Sequence, residues 1–138
     1  MRIGMILLSK VMAHRSARIF ACLIGCTILF QLTLAAGLPW GEFAWGGTYK
    51  GVLPNHLRIA SLAAIALLIA FAYIVLIRAE LVKSKWQSLS RKLIWGVVAY
   101  CALGIVANAV SPSFWESVIW VPVTLLMFVT SFIVAISK

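Results

Sequence analysis

The chain has no aspartate at all, and its 138 residues include only three glutamates and two histidines. Charged residues make up 11% of it, whereas a soluble domain has roughly a quarter. Most of its surface must therefore face something apolar, and an ordinary soluble domain is excluded. The three cysteines, Cys22, Cys26 and Cys101, all fall within apolar stretches and form no C-x-x-C, so they do not build a secreted disulfide framework. His14 and His56 lie on either side of the first apolar stretch, too far apart for a metal or nucleophile constellation. No long apolar run contains a charge away from its ends, the usual mark of a proton relay or ion pathway. The sequence accordingly assigns no catalytic residue, metal or cofactor.

What is abundant is apolar: 64% hydrophobic residues and a mean hydropathy of +1.08. A helix needs about 20 apolar residues to cross the hydrocarbon core. Four spans meet or approach that, at about 19–38, 59–77, 93–110 and 115–136. The expected fold is one all-α domain of four transmembrane helices, arranged as two hairpins. Connection 39–57 caps one end and connection 78–92 lies at the other. Two processing signals are outweighed. "LIGC" (23–26) is followed by more apolar residues where a lipoprotein turns polar. "TLAAG" (33–37) follows a core too long for a cleaved leader. Span one is expected to remain.

The net charge of +9 has to be read by position. A nucleic-acid binder gathers its cations on one soluble face; here they bracket spans, so no nucleic-acid partner is expected. Arg2, Lys10, Arg15, Arg18, Arg78, Lys83, Lys85, Arg91, Lys92 and Lys138 share one side with Glu80, while Lys50 and Arg58 face Glu42 and Glu116 on the other. The Lys/Arg bias of short loops places both termini in the cytoplasm and 39–57 outside. Residues 1–18, with Ile3, Ile6, Leu7, Val11 and Met12 at helical spacing, read as an extension of span one or as an interfacial helix on anionic lipid.

Lipid does not drive helices together, so contacts rely on small and polar residues. Gly96, Tyr100, Gly104 and Asn108 recur every four residues and should point into the bundle. Gln31 and Asn108 are expected to meet, with Tyr100 deeper on the same face. These three form a candidate intramembrane polar face. Packing and a satisfied hydrogen bond explain it as well as a pathway lining does. Cys26 and Cys101 come at similar depth, but buried cysteine usually acts as a small apolar residue.

The connections hold the distinctive residues. Ser113 followed by Glu116 fits a capping box that starts span four near Phe114. Trp115 and Trp120 suit the interfacial belt, and Pro122 should kink the span. In 39–57, Gly46-Gly47 predicts a compact turn or small β-hairpin, and Asn55 is a candidate N-cap of span two. Arg58 is expected to pair with Glu42 or Glu116. Trp40, Glu42, Lys50, His56, Arg58 and Glu116 form the candidate outer ligand site, for which structural pairing is the plainer explanation.

"LPWGEFAWGG", "LPNHLRIAS" and "SPSFWESVIWVP" resemble a group of small four-span bacterial membrane proteins with P-W-G, Gly-Gly, L-P-x-x-L-R-x-x-S and S-P-S-x-x-E segments. The resemblance spans both outer connections. It implies a bacterial inner membrane and marks Pro39, Trp40, Gly41, Gly46, Gly47, Arg58, Ser61 and Glu116 as characteristic; it implies no mechanism. The leading expectation is a non-enzymatic accessory protein that interacts with membrane lipid or a small ligand. A small oligomeric transporter or channel comes second, and a membrane redox enzyme third. Expected partners are lipids and either further copies of the chain or another membrane protein.

Overall fold

The computed structural model describes residues 2–137, with side chains from residue 4 onward. Lys138 and the side chains of Arg2 and Ile3, all used in the readings above, lie outside the described residues. The helices are α1 (Arg2–Ala36), α2 (Asn55–Arg78), α3 (Gln87–Ala109) and α4 (Phe114–Ile136). All four are long and apolar enough to cross a membrane, as in a multi-pass membrane protein. No strand forms among the described residues.

At 1.5 Å per residue, the 35 residues of α1 extend about 50 Å, well beyond the roughly 30 Å hydrocarbon core. Residues 2–18 continue the same helix and do not fold as a separate element. The helices pack as a ring in chain order, α1 on α2 and α4, α3 on α2 and α4, leaving α1 and α3 on a diagonal. This diagonal is why Gln31 on α1 does not meet Asn108 on α3. Gln31 Oε1 is buried without a hydrogen-bond partner.

The main core lies in the half of the bundle nearest connection 79–86. Phe20 and Ile24 of α1 meet Leu68 and Val75 of α2, Ile94 and Val97 of α3, and Met127 and Val134 of α4. On α3 the buried positions are Ile94, Val97, Val98 and Cys101, at the i, i+3, i+4, i+7 spacing of one helix face. Successive helical residues are about 100° apart, so the glycine stripe runs along the flank of α3 and not, as its spacing suggested, into the bundle. Tyr100 is 48% exposed and meets Phe71 edge-on at 4.8 Å. A side chain at Gly96 would touch nothing within 4 Å. Of the two glycines, only Gly104 faces a neighbouring helix, at Thr124.

Several hydroxyls within the helices are satisfied locally. Thr27, Thr124 and Thr130 each donate to a carbonyl one turn back. In an apolar solvent this removes a polar cost without using a neighbouring helix.

The helix ends are closed with care. At the end of α1, Leu38 N–H donates to Thr33 O and Gly37 N–H to Leu34 O, a Schellman motif with Gly37 at φ 92°. At the end of α2, Leu81 N–H donates to Leu76 O and Glu80 N–H to Ile77 O, the same motif with Glu80 at φ 60°. Only glycine adopts that conformation without steric cost, which is about 1–2 kcal/mol for other residues. The Lys10–Glu80 ion pair at 3.4 Å is solvent-exposed and offsets little of this. Glu80→Gly should therefore raise the melting temperature of the purified protein despite losing the ion pair. A lower melting temperature would mean that the pair outweighs the backbone strain.

Candidate functional site

The connection 39–57 folds as two short 3-10 turns, Gly41–Phe43 and Trp45–Gly47, so the compact turn forms and the β-hairpin does not. The reason lies in the backbone. Trp45, Gly46 and Gly47 are successively left-handed, at φ 55°, 76° and 65°, so the chain coils where a hairpin would extend into two strands. The missing side chain of Gly47 is used for close approach: a Cβ there would lie 2.5 Å from Ser113 Cβ. Gly41 is confined in the same way by the carbonyl of Tyr49.

This cap is tied to the other connection by hydrogen bonds. Gly46 N–H donates to Glu116 Oε2 at 2.9 Å, and Ser111 Oγ–H donates to the same oxygen. Ser113 Oγ accepts from Glu116 N–H at 3.2 Å and donates to Glu42 O at 2.6 Å. Ser113 is thus the N-cap of α4, as the spacing predicts. The return arm of the capping box is relayed, because Ser113 N–H donates to Ser111 Oγ and Ser111 donates to Glu116. Trp120 Nε1–H donates to Phe43 O at 2.7 Å, so its indole anchors the cap and does not reach outward. Beneath lie Leu34, Ala44 and Leu53, with Phe30 against Trp120 at 4.8 Å.

Arg58 has a different partner from either expected glutamate. Its Nε–H donates to Ala35 O at 2.9 Å, and the guanidinium lies beside Gly37. A cation is thereby placed at the negative end of the α1 dipole. Neither Glu42 nor Glu116 reaches it; Glu116 is held by Gly46 and Ser111. Arg78, at the opposite end of α2, does the same for α4, donating to Ala135 O and Ser137 O. The N-cap of α2 is Pro54, with Asn55 as the first helical residue and no side-chain cap.

The six candidates at the cap end are therefore dispersed. Glu42 and Lys50 share a half-open groove of about 440 Å³ with Thr48, Pro112 and Trp115. Trp40 is 41% exposed and stacks on Phe30 at 6.4 Å. His56 is exposed on the first turn of α2. Arg58 and Glu116 are engaged in architecture. Of the intramembrane trio, Gln31 points a partnerless oxygen inward, Tyr100 faces out beside Phe71, and Asn108 contributes its carbonyl to Ser117 Oγ at 2.7 Å. Ser61 Oγ, fully buried one turn beyond Arg58, also lacks a partner.

Sequence reasoning missed Ser111 and a second groove. Ser111 was visible, two residues before the N-cap in a serine-rich turn. The second groove has a volume of about 280 Å³ and lies between Tyr73, Ile74 and Ile77 of α2 and Trp86, Leu89 and Leu93 at the start of α3. Lys85 Nζ sits 5.3 Å from the Trp86 ring centroid. Neither groove reaches the middle of the bundle between α1 and α3. Among the described residues, no group of three or more His, Cys, Asp or Glu side chains is placed to hold a metal ion.

Compared with known proteins, the chain matches no family model, no curated protein and no solved structure.

A hydrogen bond to a charged group contributes about 1.5–3 kcal/mol. Glu116→Gln should therefore lower the melting temperature in detergent by about 5 °C, while Glu42→Gln, whose structural contact is through its backbone carbonyl, should leave it nearly unchanged. Equal effects would show that the cap is not held by Glu116.

Proposed function

We propose that this chain is a non-enzymatic accessory protein of the bacterial inner membrane, with both termini cytoplasmic, that works by engaging anionic lipid at its basic end. One observation supports this most directly: which charges the fold has left uncommitted. At the cap end, Arg58 and Glu116 are taken up in closing helices and tying loops, which leaves Glu42 and Lys50, one charge of each sign. At the other end, Lys83, Lys85, Arg91 and Lys92 are exposed and form no ion pair among the described residues. The one acid there, Glu80, faces Lys10. Cations beside an anionic leaflet contribute about 1 kcal/mol each, and the bias of cations to the cytoplasmic side supports the orientation. The resemblance in the two connections supports the bacterial membrane.

A second reading, assembly with another helix, is favoured by Gly25 and Gly96. Both leave open space where a side chain would stand, the kind of notch that lets helices approach closely. Such an assembly is also what a small oligomeric transporter or channel would need.

Native mass spectrometry of the protein extracted with its lipids separates these readings. Enrichment of anionic over zwitterionic phospholipid, relative to the source membrane, is the expected result. A lipid complement equal to that of the membrane would sink the proposal, and a stable oligomer would favour the second reading. Orientation is checked on intact cells with a membrane-impermeant maleimide: Thr48→Cys should label and Ser84→Cys should not.

A further inference from the structure

We infer that the groove between the last turns of α2 and the first turns of α3 holds one acyl chain of an anionic phospholipid, whose phosphate lies at Lys85. This rests on the lipid-engaging reading and assigns it a place.

The groove wall is apolar. Ile77 is 2% exposed, while Leu89, Leu93 and Tyr73 are between 41% and 45% exposed, so the floor is protein and the sides are open. Trp86, at the N-cap of α3, and Leu89 and Leu93 within it follow one another at the three- and four-residue spacing of one helix face. At about 280 Å³ the groove is at the small end of ligand sites, with room for a length of chain and not for a headgroup.

The polar features gather at one end. The ammonium of Lys85 stands over the Trp86 ring, which is itself 50% exposed. Tyr73 Oη donates to Ser84 Oγ at 3.3 Å, at an exposed position, leaving hydroxyl groups beside that lysine. Lys83 lies in the same connection, and Lys92 follows Leu89 by one helical turn. No acid lines this groove. An apolar slot with a cation and an aromatic ring at its mouth matches an anionic amphiphile aligned with the bilayer. Interfacial tryptophan and lysine favour that depth. A zwitterionic lipid fits the slot equally well but brings a positive group towards Lys85, so charge decides the class.

The full-length protein in phosphatidylcholine nanodiscs with a minor fraction of phosphatidylglycerol provides the test. Native mass spectrometry should show phosphatidylglycerol retained preferentially. Lys85→Gln should reduce that preference roughly fivefold, the effect of one cation at such a surface, and Leu89→Trp, which fills the slot, should reduce it comparably. A second readout does not depend on retention during ionisation. Brominated phosphatidylglycerol should quench tryptophan fluorescence more than brominated phosphatidylcholine, and Trp86→Phe should remove that difference. If the wild type prefers phosphatidylglycerol but all three variants behave like it, the groove is the wrong place and the general lipid-engaging reading survives. If the wild type shows no preference, both fall. Far-ultraviolet circular dichroism of each variant guards against misfolding; loss of preference with unchanged helicity supports the inference.

Discussion

A helix that ends inside or near a bilayer leaves four carbonyls without partners and little water to supply them. The architecture here depends on how those ends are closed. α2 has an arginine at each end, and both donate their hydrogen bonds to other helices. Arg58 sits in its first turn, the unfavourable end of its own dipole for a cation, and closes α1 through Ala35 O. Arg78 closes α4 through Ala135 and Ser137. One helix thus fixes the ends of both its neighbour and its diagonal partner, at opposite faces of the bundle. That fits a bundle whose lateral packing gains little from the hydrophobic effect.

The same constraint explains where chemistry is and is not available. The cap contains the most unusual residues of the chain, yet several of its conspicuous polar groups are occupied. Glu116 receives Gly46 and Ser111, Ser113 joins two connections, and Trp120 holds Phe43. A residue that closes a helix or pins a loop is held in place by those bonds. The cations of connection 79–86 and the start of α3 form no ion pair among the described residues, and one of them, Lys85, stands over the Trp86 ring that lines an open apolar groove.

Local signals were legible. The spans follow from runs of apolar residues, and the start of α4 from Ser113 and Glu116 three apart. Signals that needed a partner elsewhere were misleading. The Gly-Gly pair suggested a two-strand turn, but Gly47 is glycine because Ser113, sixty-six residues on, packs where its Cβ would be. Arg58 and the glutamates attract by charge on paper, while a nearby row of carbonyls competes successfully in space. The stripe of Gly96, Tyr100, Gly104 and Asn108 is regular, but regular spacing defines a face without saying which way it points.

By itself, the sequence determined the number of helices, their approximate ends, and the segregation of cations to one end, because each depends on residues adjacent or one turn apart. The tertiary structure decided the ring order that sets α1 and α3 on a diagonal, the partners of Arg58, Arg78 and Glu116, and the groove beside Lys85. Those depend on distances between segments remote in the chain, and similar patterns of hydropathy and charge are compatible with more than one such arrangement.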